Sequence, residues 1–158
     1  MGPAFAYEAM ECLGGNGYVE DGLAARIYRE LPVNAIWEGS GNVMVHDALR
    51  VLQRQPECVD RVLAKLEAGV GGDARIAAQL EKVRAMFAEP QSLEQRGREF
   101  VEALAVLAAG CLLRSHAPAA VADAFIATRM GGHWRQTYGQ GLETADVHAI
   151  LARVPSVS

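Results

Sequence analysis

The sequence predicts an all-α fold, an up-down bundle of six or seven helices with antiparallel neighbours, and three observations carry that expectation. Ala, Leu and Val dominate the 51% of residues that are hydrophobic, aromatics make up only 6%, and Thr and Ile are sparse, a balance that favours helix over sheet. Apolar residues recur at three- and four-residue intervals along most of the chain. Gly and Pro break that pattern at spacings of about one helix length, and nothing reads as a strand, an internal repeat or a metal site.

Residues 3–13 form the first predicted helix, with Pro3 in its first turn, Phe5, Met10 and Leu13 as apolar contacts, and Gly14-Gly15 as its stop. A short helix from about Leu23 to Glu30 follows, closed by Leu31-Pro32, with Arg26 and Arg29 on one solvated or ion-paired side. Met44, Val45, Ala48, Leu49 and Leu52 set up the next helix, which starts at Ser40 or Asn42 and runs to about Arg54. Residues 57–69 place Val59, Val62, Leu63 and Leu66 on one face, and Gly69 to Gly72 break the chain. Asp73 caps a helix with Ile76, Leu80, Val83 and Phe87 in register. Ser92 and Gln95 suggest a capping box for the longest helix, whose buried stripe is Phe100, Val101, Leu104, Leu107, Ala108, Cys111 and Leu112. Further helices are expected from about Ala119 to Met130 and from about Glu143 to Val154. Between them, His133-Trp134-Arg135-Gln136-Thr137-Tyr138 reads either as a packed corner or as a stacking surface for a base.

Composition narrows the function. At 158 residues the chain is the size of one domain with a sizeable core. A net charge of −4 argues against a wholly basic nucleic-acid binder, though local patches stay open. No apolar run is long enough to span a membrane and no signal pattern opens the chain, so a cytoplasmic location is expected. Cys12, Cys58 and Cys111 are odd in number, lack metal-ligand spacing and fall in apolar helical patterns, which suits buried thiols in a reducing compartment.

The chemistry centres on Trp37-Glu38-Gly39-Ser40-Gly41-Asn42. One carboxylate lies between an indole and a flexible turn, just ahead of a helix N-terminus whose free amides favour an anion. Glu38 is either a solvated capping carboxylate or a base held in an apolar pocket beside Trp37. A second candidate is the stripe Arg50, Arg54 and Arg61: either a solvated face pairing with Asp47, Glu57 and Asp60, or a phosphate-binding row.

Leu13-Gly14-Gly15-Asn16-Gly17-Tyr18, then Tyr28-Arg29-Glu30, then Trp37-Glu38-Gly39-Ser40 stand in the order G-G-x-G-[YF], Y-R-[DE], [YW]-E-G-[TS]. Over residues 8–54 this resembles the C-terminal helical domain of the acyl-CoA dehydrogenase flavoproteins, and Y-R-E-L-P-V-N-A-I-W-E-G-S-G-N-V is most similar to the AidB-like branch. Residues 57–154 then read as a helical extension within the same domain. The resemblance implies an FAD-dependent α,β-dehydrogenation of an acyl-CoA thioester, with Glu38 as the base, Trp37 lining the acyl pocket, and Gly14, Gly15, Ser40 and Asn42 toward FAD. Many family members carry Gln where this chain has Glu11, and an ionised carboxylate there would repel a pyrophosphate. The AidB-like branch further implies double-stranded DNA as an alternative partner, through Arg50, Arg54 and Arg61. Third comes a helical oligomerisation domain. Because the family places an N-terminal helical and a middle β domain before the Gly-rich turn, the chain is expected to be a fragment that binds no FAD and turns over no thioester alone. Its uncovered apolar faces suggest a dimer or tetramer.

Overall fold

The computed structural model describes residues 2–132 and 138–155, and every regular element among them is helical. The helices are α1 (Gly2–Cys12), α2 (Gly15–Tyr18), α3 (Leu23–Glu30), α4 (Gly41–Arg54), α5 (Glu57–Ala68), α6 (Ala74–Ala88), α7 (Leu93–His116), α8 (Ala119–Met130) and α9 (Val147–Leu151). Single 3-10 turns at Leu31–Ala35 and Pro90–Ser92 precede α4 and α7. The short α2 and α9 take the helix number beyond the six or seven expected.

The core is built on α7. Its residues Leu93, Phe100, Ala103, Leu107 and Cys111 meet Ile76, Leu80, Val83 and Met86 of α6, Ala122 and Ile126 of α8, and Leu66 of α5. Phe100, Ile76, Leu107, Ile126 and Val83 are fully enclosed, each removal from water contributing roughly 1.5–3 kcal/mol. Short connections join α6 to α7 and α7 to α8, so these neighbours run in opposite directions, as an up-down bundle requires. Two glycines on α7 let its neighbours close in. A Cβ at Gly97 would lie 2.3 Å from Val45 Cγ1 of α4, and one at Gly110 would lie 2.2 Å from Met130 Cε of α8.

The structure corrects several local expectations. Ser92 makes no cap: its backbone is helical (φ −83°, ψ −15°), and its hydroxyl donates back to the Glu89 carbonyl at 3.0 Å, so the Ser-x-x-Gln box does not form. Pro90 is the cause, since it drives the chain into a 3-10 turn before α7 begins. The last helix is one short stretch within the predicted 143–154, because the Asp146 side chain caps it by accepting from the Ala149 amide. Asp73 does cap α6, accepting from the Arg75 amide at 2.9 Å. Leu112, placed in the buried stripe, is 58% exposed, because the buried face of α7 runs through Leu93, Gly97, Phe100, Ala103, Leu107 and Gly110 at helical spacing and position 112 falls off it. Of the three thiols only Cys111 is buried; Cys58 is half-buried and Cys12 exposed. The corner at 133–137 lies outside the described residues. Its neighbour Tyr138 lies edge-on to Phe5, and its amide donates to both Glu8 carboxylate oxygens, which ties α1 to the segment after α8.

The first third of the chain packs differently. α1, α2 and α3 touch one another, yet α1 buries only Ala6, leaving Phe5 and Leu13 more than half exposed, and α3 buries only Ala25. Most of the exposed large apolar residues lie between Phe5 and Val51, Tyr18, Leu23, Ile36 and Trp37 being the most open. Such a surface exceeds what scattered exposure requires.

Candidate functional site

The turn carrying Glu38 is shaped from both sides. Pro32 opens the 3-10 turn, and the amides of Ile36 and Trp37 both donate to the Val33 carbonyl, at 2.9 and 3.0 Å. The chain then reverses through Glu38 at φ 60°, the only non-glycine at positive φ among the described residues, and Gly39 at φ 121°. An L-residue in that region costs roughly 1–2 kcal/mol, so packing on either side must hold Glu38 there. Ser40 returns to extended backbone and occupies the N-cap position of α4.

α4 begins open. Its first bond runs from the Met44 amide to the Ser40 carbonyl, and the Ser40 side chain makes no cap bond. The first-turn amides therefore point outward with their partial positive charge available to an anion. Glu38 is exposed and makes no hydrogen bond or ion pair among the described residues. Trp37 beside it is 62% exposed.

The Gly-rich turn divides its labour. Gly14 sits at φ 57°, and a Cβ at Gly14 or Gly15 would meet nothing within 4 Å, so both offer backbone to an approaching group. Gly17 is instead a packing glycine, since its Cβ would fall 2.3 Å from the Met10 carbonyl oxygen. Glu11, in the last turn of α1, is exposed.

Sequence reasoning missed Arg98. From α7 it donates to Asn42 Oδ1 at 3.4 Å, beside Gly41, which puts a guanidinium over the first turn of α4. The signal was the glycine before it: Gly97 in mid-helix marks the close approach of α4 that brings Asn42 within reach.

The arginine stripe is only partly a unit. Arg50 is paired with Asp47 one turn earlier, whereas Arg54 and Arg61 are exposed and without partners among the described residues. Arg29 makes a bidentate pair with Glu20, which answers the α3 face as an ion-paired one. Among the described residues no helix is long and apolar enough to cross a membrane, and no group of His, Cys, Asp and Glu gathers as metal ligands.

The family model described as acyl-CoA dehydrogenase, C-terminal domain, matches residues 3–53, which contain the Gly-rich turn, Glu38 and α4 almost whole. The chain is also 38% identical over 124 residues, 78% of its length, to the putative acyl-CoA dehydrogenase AidB of Escherichia coli. The chain carries the C-terminal helical domain of the acyl-CoA dehydrogenase family, of the AidB-like kind.

This AidB-like domain is further 48% identical over 44 residues to acyl-CoA dehydrogenase family member 11 of Caenorhabditis elegans. It spans 23% of the length of AidB and 7% of the nematode protein in those matches. The segment matched by the family model is also the one with the open apolar surface, while the enclosed core lies between Leu66 and Ile126. Since 124 matched residues cannot fit within 3–53, likeness to AidB continues into that core.

Proposed function

We propose that this AidB-like domain supplies the proton-abstracting turn of an FAD-dependent acyl-CoA dehydrogenase, with Glu38 as the base. One observation carries the reading: a carboxylate is held at φ 60° at the open end of a helix, where it caps nothing and pairs with nothing among the described residues. A strained residue with no structural employment suggests a functional one. Glu38 takes the α-proton of the thioester onto a carboxylate oxygen as the α C–H bond breaks. Trp37 borders the acyl chain, and covering Trp37 and Ile36 removes water from around the acid, which strengthens a carboxylate as a base. The open α4 amides, the uncapped Ser40 hydroxyl, Asn42 and the bare backbone at Gly14 and Gly15 fit a bulky anionic cofactor and would hold FAD. FAD, when bound, accepts the β-hydride.

The apolar surface from Phe5 to Val51 is proposed to pack against further domains and a second copy, giving a dimer or tetramer. The test is Glu38→Gln in a protein that joins this chain to the family's N-terminal helical and middle β domains. Flavin content should be unchanged, while acyl-CoA-driven dye reduction falls by a factor on the order of 100 or more. Undiminished turnover would overturn the reading. Purified alone, the chain should show no flavin absorbance and no turnover.

A second reading, double-stranded DNA as partner, is favoured by the unpaired guanidiniums of Arg54 and Arg61. Duplex titrations at two salt concentrations check it: binding should weaken with salt and fall in Arg54→Ala and Arg61→Ala, and salt-independent binding counts against it.

A further inference from the structure

One cavity lies away from the Glu38 turn. It is a cleft of about 600 Å³ between the outer half of α4, the start of α5, and the turn from α6 into α7. That volume lies within the range of small-molecule sites. Its floor is apolar, with Leu49, Phe87 and Leu93 continuous with the core. Phe87 is fixed edge-on against the buried Phe100, ring centroids 5.1 Å apart at 79°, and Pro56 and Pro90 stiffen the two ends. Little ordering is then left to be done on binding.

The lining carries one formal charge of each sign, Arg50 of α4 and Glu94 of α7, with His46 beside them. Glu94 has no partner among the described residues, and Arg50 spends one guanidinium nitrogen on Asp47 while its other donors stay open. An anion alone would meet Glu94, and a cation alone would meet Arg50.

We propose that the cleft binds a small zwitterion with an apolar body, a free aromatic amino acid in chemical class. Its carboxylate reaches Arg50, its ammonium reaches Glu94, and its ring lies on the floor beside Phe87. No bond is made or broken. The site stands apart from the Glu38 turn, so it holds or falls independently of the dehydrogenase reading.

The experiment titrates L-tryptophan, L-tryptophan amide and N-acetyl-L-tryptophan into the isotopically labelled chain, following backbone amide resonances. L-Tryptophan should saturate, with shifts confined to residues 46–59 and 87–94. The amide lacks the carboxylate and the N-acetyl compound lacks the ammonium, so each should bind about tenfold more weakly. Arg50→Gln should weaken L-tryptophan about tenfold yet leave the amide's affinity unmoved, and Glu94→Gln should do the same for the N-acetyl compound. Both positions are exposed, so the variants should keep the parent's melting temperature, and that is measured alongside. No saturation up to roughly 10 mM, or equal affinity in parent and both variants, overturns the proposal. Cleft resonances that move with protein concentration instead of tryptophan also overturn it, since a second copy would then be the occupant.

Discussion

Arg114, near the end of α7, donates to Asp73 Oδ2 ahead of α6 at 2.8 Å and to Asp123 Oδ1 of α8 at the same distance, so one guanidinium ties three helices together. Asp73 is the centre of this tie. It accepts the Arg75 amide and two nitrogens of the Arg75 side chain as well, with only 11% of its own side chain exposed.

The Asp73 carboxyl is held well below the usual carboxylate range. The Arg75 side-chain hydrogen bond is the main cause, burial opposes it, and the Arg75 backbone amide adds to it. An acid whose folded-state value is depressed contributes its full stability above the unfolded value, near 4, and loses it as pH falls toward the folded one. Asp73→Ala, which also removes the α6 cap, should cost about 2 kcal/mol at neutral pH by denaturant unfolding. Asp73→Asn keeps a capping oxygen and should cost less. The gap between parent and Asp73→Asn should shrink as pH drops below about 4.

Gly97 yields a second prediction with opposed terms. In a helix interior, Gly→Ala gains about 1 kcal/mol from propensity. Here the new Cβ would stand 2.3 Å from Val45 Cγ1, and forcing α4 away from α7 costs roughly 1–3 kcal/mol. Gly97→Ala should therefore leave the melting temperature unchanged or lower it. In a Val45→Ala background the same substitution should become stabilising, because the obstructing methyl is gone. A stabilising effect of Gly97→Ala alone would show that α4 is not seated as described.

Legibility in the sequence followed the range of the interaction. The α6 cap at Asp73 and the helix stops at Gly14 and Pro56 are local, and the structure keeps them. Ser92 had the right letters for a capping box, but Pro90 two residues earlier already fixed the backbone in a 3-10 turn. Phe5 and Leu13 are expected as apolar contacts from periodicity; Phe5 meets the Tyr138 ring, yet both stay more than half exposed, since periodicity reports an apolar face but not how far a partner covers it. The turn at Glu38 was visible as composition. The reach of Arg98 to Asn42 joins residues 56 positions apart and could not be read locally.

The three thiols should separate by reactivity. Cys111 is buried and donates to the Leu66 carbonyl at 3.4 Å, and burial pushes its thiol up, so little thiolate forms near neutral pH. With a thiol-modifying disulfide reagent, the exposed Cys12 should react first and the half-buried Cys58 next. Cys111 should react only at the rate of unfolding, and denaturant should release all three. A fast third equivalent in native buffer would contradict the packing of α5 on α7.

The backbone at Glu38 predicts a conflict between stability and the proposed chemistry. An L-residue at φ 60° carries strain that Asn tolerates better than Glu, because its short amide bonds to nearby backbone. Glu38→Asn should raise the stability of the chain by roughly 0.5–1 kcal/mol, since the exposed carboxylate makes no contact to lose. Glu38→Gln keeps the shape of the side chain and should leave stability where it is. In the protein carrying the family's other domains, both substitutions should abolish proton abstraction, so Glu38→Asn would be the more stable and the less active protein. Denaturant unfolding of the two variants beside the parent checks the first half. Should Glu38→Asn be no more stable than Glu38→Gln, the positive φ is not a source of strain, and Glu38 needs no function to hold it in place.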